Sequence, residues 1–341
     1  MTAALRIGQP DRRTYAVATM TVLALLPGCF NHLVVSPFDS RGPLEEVVIR
    51  RATGWTAKKV AILDVSGLLL NSRKSSFLGD GEHPVSEFRE KLQRAAEDPL
   101  VRAVVLRINS PGGGVTASDI MYRDLVAFRE KTGKPVVACL MDVAASGGYY
   151  VALGSDAIFA HPTSVTGSIG VIMNLYNFEG LCSKLGISSD PIKSGPNKDL
   201  GNPARRLSEE ERQILQHLVD EYHDRFVKLV ALNRHIPEAA VRRIADGRVY
   251  SAREAKELGL VDQIGYLDDA LAAVMALAGL SDAHIVTYSH NPEETNTIYA
   301  RAGVPREIQV QVHVPVLEAL APASGLDAAF LYLWMPGVAL P

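Results

Sequence analysis

The sequence has few cysteines, no excess of positive charge and few long apolar runs. Each of these features argues against one class of protein. The 341 residues include three cysteines, Cys29, Cys139 and Cys182, whose spacing matches neither a metal site nor a disulfide framework. The net charge is −3 and no basic run is interleaved with aromatic residues, so we expect no nucleic-acid partner.

Two phosphate-binding motifs and one hydrolase motif are also missing. The sequence contains neither G-x-G-x-x-G nor G-x-x-x-x-G-K-[ST], so its glycine-rich segments are not ordinary phosphate loops. The G-x-S-x-G turn of α/β-hydrolases is excluded around Ser146 because residue 144 is alanine.

The N-terminal apolar run is shorter than the roughly 20 residues that span a bilayer. It ends in L-P-G-C at Cys29, which resembles a bacterial lipobox with a lipidated cysteine. A short membrane anchor, or an export signal at Arg12 and Arg13, is the alternative. We expect a lipoprotein-type signal peptide at 1–29, a tether at 30–56, and an extracytoplasmic, membrane-anchored protein, on the periplasmic side in a Gram-negative cell.

Beyond the tether, strand and helix patterns alternate. Apolar runs beginning at Lys59, Val101, Lys134 and Asp156 predict strands, and amphipathic periodicity between the first three runs predicts helices. This order predicts an α/β fold with a mostly parallel sheet flanked by helices. We place one domain at 57–280 and a C-terminal extension at 281–341. The apolar end of that extension, F-L-Y-L-W-M-P, could pack on the core, on another subunit or on lipid.

Two glycine-rich loops follow predicted strands, where sites of α/β proteins gather. The first is S-P-G-G-G, containing Gly113, and the second is A-A-S-G-G, containing Ser146 and Gly147. Backbone N–H groups of the two glycines could together hold a developing oxyanion beside a serine nucleophile. A serine at a helix start is also a common cap, so Ser146 alone does not decide between chemistry and capping.

Five segments together resemble the signal peptide peptidase A family of serine proteases. In chain order they are I-N-S-P-G-G-G, A-A-S-G-G-Y-Y, T-G-S-I-G-V, I-K-S-G-P-N-K-D and D-G-R-V-Y. The resemblance covers about residues 58–278. It implies the crotonase-like fold of Clp protease and a membrane-associated serine endopeptidase that degrades cleaved signal peptides or other apolar peptides.

The resemblance also implies that the serine is activated by a lysine, Lys198. A neutral lysine can accept the hydroxyl proton only if burial lowers its pKa from about 10.4 toward the working pH. Lys193 and His161 are the rival bases, and Ser168 could orient the lysine or simply form a turn. This mechanism requires no metal and no cofactor.

Substrate binding and assembly are expected to follow the family. Gly114, Val115, Gly170 and Val171 could pair with an extended peptide and line its pockets. Because the chain has a single set of motifs, the resemblance implies a homo-oligomer, in which the lysine could cross a subunit boundary. The alternatives are a crotonase-like enzyme acting on acyl-CoA and a non-catalytic membrane scaffold.

Overall fold

The computed structural model describes residues 42–72, 83–290, 297–299 and 330–334, and the backbone of 75–76 and 79–80. The strands are β1 Glu45–Arg50, β2 Lys59–Leu69, β3 Ser75–Ser76, β4 Gly79–Asp80, β5 Val101–Gly114, β6 Val136–Ala145, β7 Ala157–Ala160, β8 Val165–Gly167, β9 Val249–Ser251, β10 Gln263–Ile264, β11 His284–Ser289 and β12 Leu331–Leu333. The helices are α1 Pro84–Glu97, α2 Val115–Thr132, α3 Gly147–Ala152, α4 Glu179–Lys184, α5 Glu209–Arg234, α6 Glu238–Ile244, α7 Ala252–Glu257 and α8 Leu267–Leu277, with a 3₁₀ turn at Pro196–Asp199.

Ten of the strands in the described residues form one sheet, with the central order β1-β11-β2-β5-β6-β7-β10. Every neighbouring pair from β11 to β10 is parallel, and β1 joins β11 antiparallel. The predicted α/β fold with a mostly parallel sheet is confirmed. At one end of the sheet, β8 pairs with β6 and β12 pairs with β5.

Helices cover both faces of the central strands, which explains their nearly continuous apolar sequences. Along β5, Val104 and Leu106 face one core cluster while Ala103 and Val105 face the other. The first cluster contains the inner faces of α1, α2 and α5, and the second contains α8. Each large apolar side chain buried in this way contributes roughly 1.5–3 kcal/mol relative to exposure.

The sequence S-E-E-E from Ser208 to Glu211 has the pattern of a capping box, and the long helix α5 begins there. The Ser208 hydroxyl accepts a hydrogen bond from the Glu211 backbone N–H at 3.1 Å, and the Glu211 carboxylate accepts one from the Ser208 N–H at 2.8 Å. This reciprocal capping box satisfies two backbone donors that have no partner within the helix. It fixes the start of α5 beside the 3₁₀ turn that carries Lys198.

The sheet extends beyond the domain limits expected from sequence. Strand β1 lies inside the predicted tether at 30–56, and β11 lies inside the predicted extension at 281–341. Strand β5 also continues through the glycines to Gly114 rather than stopping before them, because β2 and β12 pair with that segment. In the described part of the chain, no helix combines the length and apolarity needed to cross a bilayer.

Candidate active site

Ser146 occupies a strained turn between the end of β6 and the start of α3. Its backbone has φ 52° and ψ −114°, outside the regions that a residue with a Cβ atom favours. The Ser146 N–H donates to the Gly167 carbonyl at 2.8 Å, and the Tyr150 N–H donates to the Ser146 carbonyl at 2.8 Å. These bonds hold the residue in place despite the strain.

The Ser146 side chain does not act as a helix cap. It stands at the cap position of α3, yet its hydroxyl makes no capping hydrogen bond within the described structure. The residue is 1% exposed. The hydrogen bond that defines a helix cap is therefore missing at Ser146 in the described structure. A strained strand-to-helix turn is instead the setting in which α/β-hydrolases present a nucleophile.

The predicted oxyanion glycines lie in closely packed backbone beside Ser146. A Cβ atom on Gly113 would lie 2.6 Å from the Leu69 nitrogen, and one on Gly147 would overlap the Ser118 hydroxyl. Because only glycine fits at these positions, the two backbone segments lie close to each other. A ligand can therefore also approach their N–H groups closely. The structure brings the two predicted loops together, as oxyanion binding by their N–H groups requires.

Gly112 is a further site residue that the sequence analysis did not single out. It has φ 106°, and a Cβ atom built on it would overlap the Tyr332 carbonyl oxygen and lie 2.7 Å from the Gly147 nitrogen. The run of three glycines was the available signal. Its meaning depends on contacts with Gly147 and Tyr332, which are distant in sequence.

The expected peptide-binding segments are occupied by the chain's own strand β12. Gly114 is paired with Leu331, and the Val115 N–H donates to the Phe330 carbonyl at 3.1 Å. On the other side Ile172 forms the bridge to Leu331. The segment from Phe330 to Trp334 therefore packs on the core of its own chain, a question that the sequence left open.

Gly170 and Val171 border a cavity next to this strand. The cavity has a volume of about 550 Å³ and is also lined by Ser168, Leu333 and Trp334. Ser168 has φ 49°, and its N–H donates to the Arg248 carbonyl at 2.8 Å. Its predicted role in orienting Lys198 stays a prediction.

Lys198 lies on the exposed surface of the 3₁₀ turn. Within the described residues its ammonium group makes no hydrogen bond or ion pair, and it does not pair with the adjacent Asp199. Asp199 instead accepts from Lys193 at 2.7 Å and from Arg205. Arg205 and Lys193 hold the pKa of Asp199 well below its usual range. A single chain therefore does not bury Lys198.

The remaining candidates have other contacts. His161 Nδ1 lies 2.8 Å from the Thr163 hydroxyl, and its ring packs edge-on against Tyr266. Cys139 and Cys182 are free thiols, so no disulfide joins them. The described residues contain no group of three or more histidine, cysteine or carboxylate side chains suited to a metal. The predicted lipidation site Cys29 lies outside the described residues.

Comparison with known proteins identifies relatives across this region. Residues 128–281 match the model of peptidase family S49. A protein of Enterococcus faecium named "Putative signal peptide peptidase SppA" is 39% identical over 238 residues, which cover 70% of this chain and 69% of that protein.

Two further relatives are longer than this chain. Protease 4 of Salmonella typhi is 34% identical over 270 residues, covering 77% of this chain and 43% of that protein. The chloroplastic serine protease SPPA of Arabidopsis thaliana is 35% identical over 192 residues, covering 56% of this chain and 28% of that protein.

Proposed function

Since this chain belongs to peptidase family S49 and is a serine peptidase with the crotonase-like fold of Clp protease, we propose that Ser146 is its nucleophile and Lys198 its general base. The observation that carries the proposal is the strained Ser146 turn, packed against the glycine segment of β5 and beside the Tyr332 carbonyl. That carbonyl belongs to an extended peptide held on both sides, which is how proteases commonly hold a substrate.

The reaction that we propose proceeds through an acyl-enzyme. Neutral Lys198 accepts the proton of the Ser146 hydroxyl while Oγ attacks the peptide carbonyl carbon. The N–H groups of Gly113 and Gly147 stabilise the oxyanion. Lysine then donates the proton to the departing amine, and water hydrolyses the ester and restores the serine.

We infer that a neighbouring subunit completes the site. Lys198 is exposed on its own chain, so its ammonium group is in contact with water there. Burial against a second copy would disfavour the charged form and make the amine a base near neutral pH. The proposal therefore includes a homo-oligomer in which Lys198 approaches Ser146 of the adjacent chain.

The substrates that we propose are apolar peptides derived from membranes, among them remnants of cleaved signal peptides. The apolar residues Val171 and Ile172 line part of the cavity beside the proposed site. Anchoring through a lipidated Cys29 would place this cleft at an extracytoplasmic membrane surface. Mass spectrometry of the mature N-terminus tests the anchor, because a lipid-modified Cys29 supports it and an unprocessed Met1 contradicts it.

Labelling with a fluorophosphonate tests the nucleophile and the base. The probe should modify Ser146 in the wild-type protein and leave Ser146→Ala unlabelled. Lys198→Ala should reduce the labelling rate by about 10²- to 10⁴-fold because the general base is missing. Lys184→Ala, which removes an exposed lysine at the end of α4, is the matched control and should label at nearly the wild-type rate. An unlabelled wild-type protein would favour a non-catalytic scaffold.

A further inference from the structure

Ser110 is a buried serine of the first glycine-rich segment, and the reaction described above does not use it. It lies in β5, two residues before Gly112, and it is fully buried. Its hydroxyl donates to the Gly67 carbonyl of β2 at 2.6 Å and accepts from the Gly112 N–H at 3.1 Å. Because a serine hydroxyl can donate and accept at once, one side chain joins β2 to the glycine segment.

The backbone of β5 is interrupted where this side chain connects the two strands. The register between β2 and β5 shifts by one residue here, so that Gly67 stands opposite both Ser110 and Pro111. Proline has no N–H to donate to a neighbouring strand. The Ser110 hydroxyl donates to the Gly67 carbonyl at this point instead, and so keeps the two strands joined across the irregularity.

The second hydrogen bond of the hydroxyl concerns the direction of the glycine N–H groups. The Val115 N–H points into the cleft, where it donates to the Phe330 carbonyl at 3.1 Å. The backbone between Gly113 and Val115 is extended, and hydrogen-bonding positions alternate along such a backbone, so we expect the Gly113 N–H on the same side. The Gly112 N–H is bound by Ser110. The peptide group that precedes the one carrying the Gly113 N–H is therefore fixed by a side chain.

Ser110 also contacts the element that carries the proposed nucleophile. Its carbonyl oxygen lies 2.6 Å from the point that a Cβ atom on Gly148 would occupy. The residue is paired with Ala144 of β6, two positions before Ser146. Ser110 thus lies against both backbone segments of the proposed oxyanion site, the glycine segment of β5 and the start of α3.

We propose that Ser110 is a positioning residue, whose hydroxyl holds the Gly113 N–H in the direction needed to receive the oxyanion. The proposal rests on the peptidase function above. The hydroxyl is occupied by Gly67 and Gly112 and affects the reaction through them. Because an oxyanion donor must lie close to the oxygen of the transition state, a small displacement of this N–H should slow the chemical step and leave peptide binding largely unchanged.

Steady-state kinetics of Ser110→Ala on a peptide with the sequence F-L-Y-L-W test this role. The substitution removes both hydrogen bonds of the hydroxyl, and kcat should fall by about 10- to 100-fold because a displaced donor stabilises the transition state less. KM should stay within about twofold, since the interaction that is lost is made mainly in the transition state. The rate at which fluorophosphonate labels Ser146 should fall as well, because that reaction also places negative charge on an oxygen.

Thr287→Val is the matched control. The Thr287 hydroxyl is also buried and also donates to a carbonyl of β2, that of Ile62 at 2.9 Å, but it belongs to β11. Both variants should lose stability in thermal unfolding, and only Ser110→Ala should lose kcat. Equal fractional losses of kcat in the two variants would show a structural role alone and overturn the proposal.

Ser110→Cys keeps the test decisive if the alanine variant does not fold. Its thiol occupies the same position as a weaker donor and acceptor, so kcat should fall by a smaller but measurable factor. A wild-type kcat in either Ser110 variant would overturn the proposal while the labelled wild-type protein left the peptidase function intact. A wild-type protein that is neither labelled nor active would instead overturn the peptidase function itself.

Discussion

The carbonyl oxygen of Tyr332 lies 3.1 Å from the point that a Cβ atom on Gly147 would occupy. A peptide carbonyl from one end of the chain therefore stands directly beside the residue that follows Ser146. The absence of a side chain at Gly147 makes this approach feasible. The strained turn at Ser146 thus lies directly before the residue that this carbonyl approaches.

Gly112→Ala should block peptide binding, and circular dichroism should accompany the kinetics because the new Cβ would also lie 2.7 Å from the Gly147 nitrogen. The new methyl group would overlap the position of the Tyr332 carbonyl oxygen, where the substrate carbonyl is expected. We expect kcat/KM for an F-L-Y-L-W peptide to fall by about 10²-fold or more, as when an oxyanion contact is lost. Steady-state kinetics measure this effect.

Gly133→Ala is the matched control for that substitution. Gly133 also has a positive φ, 65°, but no atom lies within 4 Å of its added Cβ. It should lose about 1–2 kcal/mol of stability from backbone strain and keep wild-type kcat/KM. Equal kinetic losses in the two variants would mean that strain, and not obstruction of the cleft, is responsible.

Arg205→Ala should impair the reaction through the turn that carries Lys198. Arg205 donates to the Asp199 carboxylate at 3.0 Å and to Glu211 at 2.8 Å, which ties the 3₁₀ turn to the start of α5. A displaced lysine should lower kcat by about 10- to 100-fold, because small errors in position are costly, while KM changes little.

The neighbouring Arg206→Ala provides the comparison. The Arg206 side chain is 88% exposed and pairs with Glu179 at the surface, so its removal should leave kcat unchanged. Circular dichroism should show that both variants are folded. If Arg205→Ala and Arg206→Ala had the same kcat, the contacts of Arg205 would not be needed to position Lys198.

Glu211 should stabilise the fold in a pH-dependent way. Hydrogen bonds from Arg205, and then from the Ser208 N–H, lower the pKa of Glu211 from 4.5 to about 2. Because the folded pKa is the lower one, the stabilisation is complete above about pH 4.5 and is lost as pH falls through about 2. Glu211→Gln should therefore be less stable at pH 7 and approach the wild type as pH falls.

Denaturant unfolding of both proteins between pH 7 and pH 2 measures this difference. Glu210→Gln, which alters an exposed carboxylate in the same helical turn, should show little difference from the wild type at pH 7. A gap between Glu211→Gln and the wild type that stayed constant down to pH 2 would show that the ionised carboxylate is not what stabilises the helix start.

The two described cysteines should differ in reactivity. Burial raises the pKa of the Cys139 thiol to about 12, whereas Cys182 is partly exposed in α4. Since the thiolate is the nucleophile, iodoacetamide at pH 8 should modify Cys182 in the native protein and spare Cys139. Peptide mapping measures the modification, and the unfolded chain, in which both should react, is the control. Rapid native labelling of Cys139 would contradict its burial.

The sequence predicted the central α/β layers well because local patterns determine them. Apolar runs and helical periodicity located β2, β5, β6, β7 and the helices around them, and the capping box located α5. The position of β12 had no such signal. Its pairing with Gly112 to Gly114 joins residues more than 200 positions apart, and F-L-Y-L-W fits a buried strand, a subunit contact or a lipid contact equally well.

The candidate site could likewise be predicted only in part. Ser146, Gly113 and Gly147 lie on short motifs, and the sheet topology brings these motifs together. The burial that Lys198 needs in order to act as a base could not be predicted from the residues near it in sequence. Two of those residues, Lys193 and Arg205, form ion pairs with Asp199. An environment formed between two chains is a property of the assembly and leaves little trace in one sequence.

Complementation between two inactive variants tests the central claim most directly. Ser146→Ala and Lys198→Ala chains would be purified separately and together as mixed oligomers, and peptide cleavage would be measured. With a lysine supplied across a head-to-tail interface, about a quarter of the sites in a random mixture combine an intact serine with an intact lysine. The account predicts that activity returns in the mixture at about that level. A mixed oligomer that forms but stays as inactive as either variant alone would contradict it.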